Sequence, residues 1–158
     1  MPGGALLRHG VGRCTRRAEL GDGRAEPVSA EASEAHIRAY LDAFMRSYAD
    51  RDPAAMRDCF RLPLTFITPT GIRVIESEQA YLPWAQSVYE GLDAQHFGRT
   101  DATAISVLEL SPVATIAHLD FVRTNTAGEQ YLFGAASYVV AKEGNDDWRI
   151  LTVIGRSR

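Results

Sequence analysis

At 158 residues, 46% hydrophobic and 23% charged, the chain has the make-up of an ordinary globular protein with enough apolar material for one core. Residues 1 to 30 carry five Arg against Glu19, Asp22 and Glu26, which leaves −5 of the −3 total for residues 31 to 158. A mildly acidic folded part with no basic stripe argues against nucleic acid as a partner, because phosphate binding draws on clustered Lys and Arg.

No apolar run approaches the ~18 residues of a membrane span, so no membrane partner is expected. Cys14 and Cys59 have no short spacing of the kind that marks a metal knuckle or a disulfide framework. A reduced, cytoplasmic protein is the expectation. The first seventeen residues hold Arg8, Arg13, Arg16 and Arg17 and no acid, which superficially suggests a transit peptide, but Gly3, Gly4, Gly10 and Gly12 interrupt any amphipathic helix. Residues 1–30 therefore read as a disordered tail or as the product of a start codon placed too far upstream, and residues 31–158 as a single domain.

Ser33 is the expected N-cap of a first helix, with Glu34 in its first turn. Ile37, Tyr40, Leu41, Phe44, Met45 and Tyr48 follow at the spacing of one helical face. Asp52 and Pro53 predict a second start, a capping carboxylate followed by a ring suited to the first helical position. Met56, Cys59 and Phe60 form the buried side of that short helix. Leu62 to Thr68 reads as a strand, Pro69 to Gly71 as a turn, and Ile72 to Ile75 as the returning strand. Ser77 opens a third helix whose Tyr81, Trp84, Ala85, Val88 and Leu92 share a face; Pro83 should kink it or delay its start. Four strands then suit an antiparallel meander: Ala102 to Leu110, Val113 to Arg123, Gln130 to Lys142 and Trp148 to Ile154. The last two are apolar on both faces. Helices cover only one face of a sheet, so a second copy of the same sheet is expected on the other, giving a homodimer.

This order, with Ala49-Asp50-Arg51-Asp52-Pro53 between the first helices, Phe66-Ile67-Thr68-Pro69-Thr70-Gly71 at the hairpin and the terminal Asp146-Asp147-Trp148-Arg149-Ile150 run, resembles the nuclear transport factor 2-like superfamily. Its members include ketosteroid isomerase, scytalone dehydratase and SnoaL-like polyketide cyclases, and the texture is closest to small bacterial members without an assigned activity. The resemblance covers about residues 33 to 155. It implies an α+β fold in which a cone-shaped, curved antiparallel or mixed sheet wraps around a long N-terminal helix, with an apolar pocket at the wide end. Tyr40, Phe44, Phe66, Thr68, Trp84, Phe121, Tyr138 and Trp148 are the lining residues it implies. It also sets isomerase chemistry aside. Where the isomerase branch has its aspartate base, before the hairpin turn, this chain has Thr68; where it has a tyrosine on the first helix, this chain has Phe44; and the fifth strand has no acid between Gln130 and Lys142.

His118 and Asp120 stand at i and i+2 on the fourth strand and therefore share a face. They are the candidate acid/base pair if the domain is an enzyme. The opposite face carries Ala117, Leu119 and Phe121 and is the better core face, which places the pair on the outer surface or at a dimer interface. His36 and His96 have no metal-ligand partner at useful spacing, and no Gly-rich phosphate loop or nucleophile elbow occurs, so neither a metal nor a cofactor is expected. Three readings compete: a protein that holds a small apolar ligand without transforming it, which is favoured; a cofactor-independent lyase, isomerase or cyclase using His118 and Asp120; and a structural dimerisation module.

Overall fold

A computed structural model describes residues 30–144 and 147–156. Expectations placed on residues 1–29, Cys14 and the Arg/Gly-rich tail among them, lie outside the described residues. Helix α1 spans Ala30–Ala49, α2 Pro53–Asp58 and α3 Glu78–Asp93. Strands run Phe60–Thr68 (β1), Gly71–Ile75 (β2), Phe97–Ser111 (β3), Ala114–Asn125 (β4), Gln130–Glu143 (β5) and Asp147–Arg156 (β6). They form one six-stranded sheet in the order β2-β1-β6-β5-β4-β3. Every neighbouring pair is antiparallel except β1 with β6, which is parallel. The fold is therefore α+β with a curved, mixed sheet, as the family resemblance implies.

Most local signals act where the sequence puts them. The Asp52 carboxylate accepts from the Ala54 and Ala55 amides at 3.0 and 2.9 Å, and Pro53 takes the first position of α2. Ser77 caps α3 by accepting from the Ala80 amide. Pro83 lies inside α3, which nevertheless starts at Glu78, so the ring removes one early hydrogen bond and does not delay the helix. Ser33 falls inside α1, which is already helical at Ala30, and so does not cap it. Strand β3 begins at Phe97, five residues before Ala102. The polar stretch Arg99-Thr100-Asp101 hides it from a reading based on apolar alternation, and it is held by pairing with Val122 to Asn125.

The apolar stripe of α1 lies on the sheet: Ile37, Tyr40, Leu41, Phe44 and Met45 are buried with Ala117, Leu119, Ala136, Tyr138 and Val140. Each large side chain so buried contributes roughly 1.5 to 3 kcal/mol. Phe60 sits at the junction of the layers. It is fully buried, with ring centroids 5.3 Å from Phe44, 6.4 Å from Phe66, 6.4 Å from Tyr81 and 5.8 Å from Trp84. Arg51 fixes the turn between α1 and α2 to the end of α3. It takes a left-handed φ of 53°, donates to the Tyr48 carbonyl at 2.7 Å and pairs with Asp93 at 2.5 Å. Among the described residues no helix is long and apolar enough to cross a membrane.

Candidate ligand-binding sites

The eight residues implied as a single pocket lining separate into three places. Phe66, Thr68 and Trp84 border a recess of about 390 Å³ at the hairpin, completed by Thr70, Gly71, Ile72 and Arg73. Phe44, Phe121 and Tyr138 border a cavity of about 40 Å³ between α1 and the meander, with Met45, Tyr48, Thr100, Leu119 and Arg123. Tyr40 and Trp148 border neither. The Tyr40 hydroxyl donates to the Cys59 carbonyl, and buried Trp148 carries the Lys142 ammonium 5.4 Å from its ring centroid. Between the two spaces the interior is filled by Phe44, Phe60, Phe66, Tyr81 and Trp84, each within 6.4 Å of at least one other. Aromatic packing thus separates these two spaces.

The hairpin recess follows from strand alternation. Phe66 and Thr68 are two apart on β1 and face the same way, and Trp84 reaches Phe66 from α3 with ring centroids 5.0 Å apart at 34°. Gly71 opens the returning strand at φ +142°, a conformation that disfavours most side chains. The Thr68 hydroxyl lies 2.9 Å from that of Thr70 and donates to the Gly71 carbonyl at 3.2 Å. It stands where an isomerase would hold its base, and a hydroxyl bound in this way accepts no proton near neutral pH.

His118 and Asp120 face away from α1. Their cross-strand neighbours are Ser137 and Ala135 on β5, while Ala117 and Leu119, which alternate with them, are buried in the core. The His118 Nδ1 lies 2.7 Å from the hydroxyl of buried Ser137, and Asp120 pairs with Arg156 of β6 at 2.8 Å. Each is engaged by a different partner. Among the described residues no three His, Cys, Asp or Glu side chains group in a way that could hold a metal ion.

Arg123 was not among the sequence-derived candidates. Alternation from Ala117, Leu119 and Phe121 places it on the inner face, and that period was the signal available. Its guanidinium stands 5.7 Å from the ring centroids of both Phe97 and Phe121, and its Nε is buried without a hydrogen-bond partner. Burial pushes the Tyr138 phenol up to about 12 and raises that of Tyr48 further, against the opposing pull of the Arg123 charge. Both stay protonated through the physiological range.

Comparison with known families agrees with this architecture. The model of the NTF2-like protein family (DUF6841) matches residues 30–158. The chain belongs to that family. Solved structures share the NTF2-like fold at low identity. An NTF2-like superfamily protein from Salmonella enterica serovar Typhimurium aligns at TM-score 0.61 and 20% identity, covering 82% of this chain and 93% of that one. A cystatin-like domain of unknown function from Nostoc punctiforme aligns at TM-score 0.65 and 16% identity, covering 82% and 80%. A structure from Catenulispora acidiphila, solved in complex with S-DNPA, aligns at TM-score 0.60 and 14% identity, covering 79% and 94%. No curated protein sequence matches the chain.

Proposed function

We propose that this NTF2-like protein binds a small, flat organic molecule in the hairpin recess and does not transform it. The observation that carries the reading is the recess of about 390 Å³ with Phe66 and Trp84 as an aromatic floor, a size within the usual range for small-molecule sites. Thr68, Thr70 and Arg73 give the rim a few polar groups for orientation. None of the lining side chains is a general base near neutral pH, which supports binding over turnover. A neighbour in fold solved with S-DNPA is consistent with a scaffold that accepts small molecules. His118 and Asp120, on the outer face and each already partnered, lend no specific support to the catalytic alternative.

A thermal-shift screen of flat aromatic compounds against the full chain tests the reading. A ligand at 100 times its Kd adds about 2.7 kcal/mol of stability, so hits should raise the melting temperature by several degrees. That gain should fall sharply in Trp84→Ala and in Arg73→Gln. Hits that shift both variants as much as the parent, or no hits, would sink the proposal.

The homodimer expectation stands beside it as a second proposal. Phe133, which shares the outer face of β5 with Ala135 and Ser137, is 57% exposed, and Leu108 of β3, which pairs with Ile116, is 53% exposed. Apolar side chains this open on a sheet face suit a second copy of the sheet. Sedimentation at micromolar concentration should give about twice 17.4 kDa, and a monomer at that concentration would refute sheet-to-sheet pairing.

A further inference from the structure

The second cavity has a different chemistry from the hairpin recess. Its polar groups are the Arg123 guanidinium, the Tyr48 and Tyr138 phenols and the Thr100 hydroxyl, and no acid lines it. Thr100 is brought there by direct pairing with Arg123 across β3 and β4. The Arg123 Nε is buried without a hydrogen-bond partner, and its guanidinium lies over the Phe97 and Phe121 rings. Tyr48 and Tyr138 line the same space. Both are held protonated by burial, so they offer hydrogens to a ligand.

A guanidinium whose Nε is buried without an acceptor is an incomplete arrangement, because a donor removed from water loses a hydrogen bond that nothing in the protein replaces. Its planar fork matches a carboxylate in shape and charge. A volume of about 40 Å³ exceeds the ~10–15 Å³ that one water needs on a comparable measure, and suits a carboxylate with a short apolar tail. The walls suit such a tail too. Phe44 and Phe121 flank the space, and Phe121 lies across Gly134 of β5, where a Cβ would overlap the ring. We propose that this cavity is a carboxylate-binding site, in which a small monocarboxylic acid sets its carboxylate on Arg123 with the Tyr48, Tyr138 and Thr100 hydroxyls and its apolar part on Phe44 and Phe121. The site stands independently of the hairpin recess.

Ligand-observed NMR with the full chain tests this, using acetate, propionate and butyrate as probes and the corresponding amides as neutral controls. The acids should bind and the amides should not. Arg123→Gln should weaken acid binding by at least about tenfold, the loss expected for one charge-assisted hydrogen bond, and Arg123→Lys, which keeps the charge without the fork, should fall between. Tyr138→Phe should weaken binding severalfold without restoring any to the amides, which keeps the test decisive if Arg123→Gln fails to fold. Asp120→Asn, on the outer face, should leave acid binding unchanged. No acid binding at tens of millimolar (about the weakest worth reading), amides that bind as well as acids, displacement by an equal concentration of chloride, or unchanged binding in Arg123→Gln would each overturn the assignment.

Discussion

The two faces of β4 solve the same problem differently. On the outer face, polar side chains satisfy one another: His118 meets Ser137 across the ladder and Asp120 meets Arg156. On the inner face Ala117 and Leu119 are sealed into the core, and at the end of the same row Arg123 is left among aromatic rings with an unpaired Nε. The Asp120–Arg156 ion pair lies near water, where such contacts are worth at most about 1 kcal/mol. The inner Arg123 Nε has no such compensation from the protein. The lesson is that the most conspicuous titratable pair and the most consequential charge lie on opposite sides of one strand.

The largest effect expected on the inner face is that of alkali. The folded pKa of Tyr138 is raised from 10 to about 12 by burial, so the folded state holds its proton more tightly than the unfolded chain. That stabilisation is complete below about pH 10 and is lost as the pH climbs through 12, a loss on the order of 3 kcal/mol for this residue. Urea melts between pH 9 and 12 should show the fall, reduced in Tyr138→Phe. A flat profile across that window would break the comparison.

A smaller effect is expected from Gly134→Ala. The new methyl would overlap the Phe121 ring, and forcing side chains off their rotamers typically costs about 1 to 3 kcal/mol. Chemical denaturation measures it, and a neutral result would mean that the inner wall yields freely. On the outer face the changes should be smallest. Asp120→Asn should move stability by about 0.5 kcal/mol or less, and His118→Ala by about 0.5 to 1.5 kcal/mol through the partner lost to Ser137. A large destabilisation by Asp120→Asn would show that the outer pair is not the weak surface contact argued above.

Much of this architecture is legible in the residues because it rests on local rules. Asp52 followed by Pro53 announces α2, Ile37 to Tyr48 announces the buried face of α1, and alternation along β4 separates Ala117 and Leu119 from His118 and Asp120. Where position depends on distant packing, the sequence is mute. The start of β3 is held by pairing with the end of β4, not by an apolar period of its own. Tyr40 and Trp148 look like pocket walls by type but are packed into the core, because filling an interior depends on the sum of side-chain volumes from many elements. Arg123 was visible by alternation and overlooked because a charge at the end of an apolar strand reads as its boundary.

The parallel contact between β1 and β6 has a consequence for how the chain assembles. The early hairpin of β1 and β2 touches the rest of the sheet only through β6, so residues 60–75 must wait for the last strand before their edge is closed. Such long-range pairing delays folding, because loop-closure entropy is spent before the contact forms. During synthesis the aromatic cluster around Phe60 lacks its sheet neighbour Ile150, whose amide bonds to the Cys59 carbonyl at 2.9 Å. The final ten residues of the sheet thus act as a keystone strand, and a nascent chain halted before Asp147 would present a hairpin and a three-stranded meander with no strand in common.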